Sequence, residues 1–225
     1  GPLDQLAKVF KTASTPQPKP YEDEVEKEKC LVFNDEIDHL LRDGVQNILT
    51  HTELSSVKRI KAIVNWTAIW LLILQTQRSR TYNVDATDQV EPLVMDLANK
   101  SQQLRRAARN GFDNVQKSID KALDMSVRKY NLGAEPEEEF KISKKGRNDL
   151  KGFFASTAAI LGILNSNRGR RHFTLKVDAL ETLVLAGVEQ DTQMPFDDFL
   201  NEWLGNRCNF LIGKKMAESS HLLRR

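Results

Sequence analysis

Four histidines, two cysteines and 31 acidic residues are the side chains of this 225-residue chain best suited to ligate a metal or move a proton. A metal site needs such groups at short ligand spacings, for example two His one helical turn apart or paired cysteines. His39 and His51 stand twelve residues apart with no His or Cys at i+4, and His172 and His221 are isolated. Cys30 and Cys208 match no CxxC spacing and read as two free thiols in a reducing compartment. No GxSxG elbow is present, and neither cysteine has an adjacent activating group. Gly213, Lys214 and Lys215 lack the earlier glycine of a phosphate-binding loop, and no GxGxxG occurs. The carboxylates fall in runs at 22–24, 135–139 and 197–198, the pattern of a solvated face. These residues imply no metal, no cofactor and no visible catalytic site. The chain is therefore read as a binding protein, and the alternative is an enzyme fragment with a dispersed site.

The basic residues carry more information. Residues 141–171 hold Lys141, Lys144, Lys145, Arg147, Lys151, Arg168, Arg170 and Arg171 against one acid, Asp149. Residues 101–130 hold Arg105, Arg106, Arg109, Lys117, Lys121, Arg128 and Lys129 against Asp113, Asp120 and Asp124. Cations concentrated in this way attract phosphates, and each neutralised phosphate releases counterions. Arg105, Arg106, Arg109, Lys144, Lys145, Arg147, Arg168, Arg170 and Arg171 are the candidate contacts to double-stranded DNA. Two other readings compete. Nearby acids neutralise the clusters on an ordinary helix surface, or the cations meet an acidic protein. Few aromatics interleave with them, which argues against a stacking platform for single strands. The net charge of +2 makes no global demand for nucleic acid.

Stepping outward to the elements, 40% apolar and 28% charged residues describe a folded chain, and 7 prolines and 11 glycines leave room for long helices. Val32, Ile37, Leu40, Leu41, Val45, Ile48 and Leu49 fall at helical spacing within 22–51. Thr52 or Ser55 caps a second helix to about Arg80. Its apolar stretch, residues 62–74, is shorter than the roughly 20 residues needed to span a bilayer, so it reads as a core helix. A third helix is expected from near Asp88 through Val90, Leu93, Val94, Leu97 and Leu104. A fourth covers 110–130, continuous with the third if Gly111 is tolerated. Further helices are expected at 143–165, 177–188 and, opened by Pro195, 196–204. A short strand is expected at 172–175 and a short apolar element at 209–213.

The fold class expected is mainly α: an N-terminal helical bundle followed by a small helix-turn-helix or winged-helix-like region. Residues 1–21 read as a tag scar (Gly1, Pro2, Leu3) and a flexible proline-rich arm, 22–134 as the bundle, and 135–142 as an acidic linker. Residues 143–225 read as the winged-helix-like region or a helical extension, cut short at its C-terminus. RHFTL at 171–175, DALETLVLA at 178–186, MPFDDFL at 194–200 and FLIG at 210–213 carry a resemblance. Residues 171–213 resemble winged-helix-like regions of bacterial phage-defence proteins, the group that includes partners of DNA-modification-dependent restriction systems. That resemblance implies a cytoplasmic bacterial protein working in a multi-subunit complex on DNA, and it assigns no catalytic residue. The partners expected are other protein subunits and double-stranded DNA, with no membrane; a homo-oligomer is compatible with the apolar stripes.

Overall fold

The structure, a computed structural model, describes residues 35–81, 91–97, 100–132, 139–165, 170–220 and 222–223. The chain divides into compact units of residues 1–35 and 36–225, and the fold below is that of the second. The arm and helix expected within 1–34, Cys30, the start of the third helix at Asp88 and Val90, most of the acidic linker, Arg168 and His221 lie outside the described residues.

The molecule is mainly helical, as the spacing predicts. Helix α1 spans Asp35–Thr50 and α2 spans Ser56–Thr81. At the start of α2, the Ser55 hydroxyl accepts from the Lys58 N–H at 3.4 Å, satisfying one of the donors a helix start leaves open. The expected helices 88–104 and 110–130 resolve differently. Leu93–Met95 forms strand β1, and one helix, α3, runs over Gln102–Tyr130, with Ser101 accepting from the Leu104 N–H as its cap. Gly111 sits inside α3 without interrupting it. Pro92 explains the correction, since it disfavours helix in the residue before it and suits the entry to a strand.

Helix α4 spans Lys144–Ile160, capped by Ser143, and α5 spans Val177–Gly187. Pro195 opens a single α-turn, α6 (Phe196–Asp198). The chain then widens into a π-helix, Phe199–Arg207, where the sequence predicts ordinary helix to 204. The Cys208 N–H closes it on the Trp203 carbonyl, five residues back. Strand β2, Phe210–Ile212, and helix α7, Lys214–Ser219, follow. The strand expected at 172–175 is a single antiparallel bridge between Leu164 and Phe173. Strand β2, the one named strand within 143–225 among the described residues, pairs in parallel with β1, Leu93 opposite Phe210.

One apolar core joins the two regions drawn from the sequence. Leu40 and Ile48 of α1, Trp66 and Ile69 of α2, Phe112 and Val115 of α3 pack with Phe154 of α4, Leu183 of α5 and Trp203 of the π-helix. Its centre is a stack of Trp66 on Trp203, 5.6 Å between ring centroids. Each indole also finds the acceptor that buried tryptophan needs. Trp66 Nε1 donates to the Leu41 carbonyl and Trp203 Nε1 to the Leu183 carbonyl, both at 3.1 Å. Gly44 and Gly187 lie one helical turn beyond these acceptors, and their missing side chains leave room for the rings. At the opposite side of the core, Phe173 meets Phe112 and Phe154 edge-on.

Among the described residues, no helix is long and apolar enough to cross a membrane. Residues 62–74 turn Ala62, Trp66, Ile69, Leu72 and Ile73 into the core.

Candidate functional site

Ion pairs divide the nine candidate phosphate contacts into tied and free groups. Arg105 Nε lies 3.1 Å from Asp96 Oδ2, whose side chain is fully buried. A carboxylate removed from water needs its partner, so Arg105 is occupied in holding the turn between β1 and α3. Arg147 is held by two acids of α3, at 3.5 Å from Asp120 Oδ1 and 2.5 Å from Asp124 Oδ1. The hydrogen bond it donates to Asp124 leads in raising its pKa above the ordinary arginine value. Lys151 binds Asp120 at 2.8 Å. These pairs fasten α4 to the C-terminal half of α3. In the sequence Asp120 and Asp124 are only local acids; their partners lie 23 to 31 residues away, beyond any helical spacing.

Arg106 is exposed and opens on a cleft of about 560 Å³ whose walls include Glu91, Gln103 and Asn110. The carboxylate of Glu91 in the same cleft works against a phosphate there. Arg109, Arg170 and Arg171 are exposed and make no ion pair among the described residues, and the same holds for Lys144 and Lys145. Arg168 lies outside the described residues.

The basic stretch 141–171 is not one patch. The Phe173 N–H donates to the Ala108 carbonyl, and the Asp96 N–H donates to the Phe173 carbonyl. Two residues after Arg171, the chain therefore meets the N-terminal half of α3 at Ala108, one residue before Arg109 in sequence. Lys144 and Lys145 begin the helix that is anchored at Asp120 and Asp124. Those anchors stand 12 to 16 residues along α3 from Ala108, roughly 18–24 Å at 1.5 Å per residue.

A second surface comes from apolar side chains. On α2, Val57 is 76% exposed, Ile60 43%, Val64 61% and Leu71 37%. Thr67 and Leu74, half-buried, continue the same row. The spacing 57, 60, 64, 67, 71, 74 alternates three and four residues, the repeat by which one helix seats another. Four outward apolar residues in register on one helix form a stripe, which isolated surface apolar residues do not. Residues 62–74 of α2 are apolar nearly all round, and such a stretch of helix is ordinarily enclosed. Here the core covers one face only.

The remaining groups capable of chemistry are quiet. Cys208 is fully buried, and burial pushes its thiol well above the ordinary range, so the reactive thiolate is suppressed. His51 Nε2 lies 2.8 Å from the Val188 carbonyl, a tie between α1 and the end of α5. No group of three His, Cys, Asp or Glu is placed to hold a metal among the described residues. Comparisons with protein-family models, with curated proteins and with solved structures find no match for this chain.

Proposed function

We propose that this chain is a non-catalytic helical interaction module that binds another protein through the outward face of α2. The observation that supports it is the row Val57, Ile60, Val64 and Leu71, exposed on a helix whose opposite side is core. Burying one such side chain is worth about 1.5–3 kcal/mol. Losing Val64 to aspartate is then expected to weaken the complex by at least about tenfold, while leaving the fold intact because Val64 faces solvent. A photo-crosslinking residue at position 64, compared with one at exposed position 156, tests the reading in cell extract. The expected result is one identified protein adduct from position 64, lost when Leu71→Asp is added. Equal adducts from both positions would overturn it.

Duplex DNA contact is a second reading, favoured by the exposed Arg109, Arg170 and Arg171 on segments that meet at Ala108. It suits the DNA-associated defence or restriction complex that the resemblance of residues 171–213 implies. The triple change of these arginines to Glu is expected to reduce low-salt binding to duplex DNA, measured by mobility shift, by about 10-fold or more. Arg147→Glu is no substitute, because it breaks the ties to Asp120 and Asp124. A wild-type chain giving no shift at low salt would end this reading.

A further inference from the structure

We infer that the outward seam of α2 receives an amphipathic helix of a partner protein that carries acidic residues along the flank facing Lys61. The inference rests on the reading of α2 as a protein-docking face and adds the chemistry of the occupant.

Three features of α2 lead to it. The first is the repeat itself. Val57, Ile60, Val64, Thr67, Leu71 and Leu74 occupy alternating three- and four-residue steps over about 26 Å of helix. A row of that shape fits the side chains of one helix lying nearly parallel or antiparallel to it, at an interaxial distance of roughly 8–10 Å. The second is charge. Helix α2 contains Lys58, Arg59, Lys61, Arg78 and Arg80 and no acidic residue. Lys61 follows Ile60 at the edge of the seam, the position from which charged side chains select the partner of a paired helix. The third is availability. Lys58 and Lys61 are exposed and line a shallow groove with Asp178 and Glu181 of α5. Neither lysine forms an ion pair with these acids among the described residues; Lys58 lies on the far side of α2 from the seam, and Lys61, at its edge, is the ammonium group an incoming carboxylate can meet.

The same charges argue against a second copy of this chain on the seam. Pairing two α2 helices in parallel sets Lys61 against Lys61 at the edge of the seam with no acid on either helix, and like charges at close range are repulsive. A partner helix with Glu or Asp at its flanks turns that repulsion into attraction.

The test uses the full chain and two labelled synthetic helices about three heptads long. Both carry Leu and Ile at the seam positions; one has Glu at the flanking positions and the other has Lys. Fluorescence anisotropy at low salt is expected to show the Glu peptide binding at least about 10-fold more tightly than the Lys peptide, a preference shrinking at high salt. Lys61→Glu should remove or reverse that preference, and Val64→Asp should abolish binding of both peptides. If the two peptides bind equally and Val64→Asp still abolishes binding, the docking face stands and the acidic partner is overturned. Val64-dependent self-association in sedimentation, without peptide binding, would also keep the face but make a second copy its occupant, overturning the inference. Val64-dependent binding to anionic phosphatidylglycerol vesicles, with no peptide bound, would overturn both. A chain that shows no Val64-dependent association of any kind would do the same.

Discussion

Phe173→Ala is expected to cost about 3–5 kcal/mol, the range for emptying a buried aromatic site, and to lower the urea midpoint accordingly. Phe173 is fully buried, with its ring edge-on to Phe112 at 5.9 Å and to Phe154 at 6.3 Å between centroids. Its backbone is equally committed: its N–H donates to Ala108 and its carbonyl accepts from Asp96. The ring thus ties α3 to α4, and the backbone carbonyl adds the turn after β1. Total stabilities of such domains are about 5–15 kcal/mol, so this one deletion removes a large share. The comparison is Phe153→Ala, one residue before Phe154 on α4 but about half exposed. It should shift stability by less than about 1 kcal/mol. Equal losses for the two would contradict the core described above.

Gly44→Ala carries the next largest effect, and its sign is the informative part. In an exposed helix interior, replacing Gly by Ala stabilises by about 1 kcal/mol. At Gly44 the added methyl would fall on the Trp66 indole, whose ring is held by the Leu41 carbonyl and by its stack on Trp203. Overpacking of a rigid site costs about 1–3 kcal/mol and occasionally more. A pinned ring with no free rotamer belongs at the upper end, so the net change is expected to be destabilising by about 1–2 kcal/mol. Gly187 is the matching position on α5, where a methyl carbon would stand 2.6 Å from Trp203 Nε1. Gly152 in α4 is the control, with open space around it. Gly152→Ala should raise stability by about 0.5–1 kcal/mol. Thermal or urea unfolding of the three variants settles the signs, and a stabilised Gly44→Ala would refute the Trp–Gly packing.

Much of this arrangement could be read from the chain, and the failures have physical causes. Ser55, Ser143 and Pro195 announce the starts of α2, α4 and α6 because capping and proline placement are local effects. Val115, Ile119 and Leu123 stand at steps of four, so spacing alone predicts helix through this part of α3. Strand β1 was missed because Leu93, Val94 and Met95 are all buried, and three consecutive apolar residues show neither a helical nor an alternating period. Its partner β2 is too distant in sequence for any local pattern to register. The π-helix was read as ordinary helix, since one extra residue per turn leaves no compositional mark. Among the candidate contacts, Arg105 and Arg147 look no different in sequence from Arg109. What distinguishes them is the burial of Asp96 and the approach of α4 to Asp120 and Asp124, both products of tertiary packing. The seam on α2 was hidden for the opposite reason: its apolar residues merge with those of the core face until burial separates them.

The pairing of Leu93 with Phe210 joins positions 117 residues apart, and this bears on how the molecule comes to be made. Closing a loop of that length costs on the order of 4 kcal/mol in chain entropy, before a constant term, against only three residues of ladder. Contacts of high sequence separation form late and slow the reaction. While synthesis is still short of Phe210, Leu93, Val94 and Met95 have no strand to pair with and a helix-rich remainder around them. A nascent chain in that state offers an unpaired apolar edge to its neighbours, so the yield of native protein depends on how quickly residues 210–212 arrive to cover it.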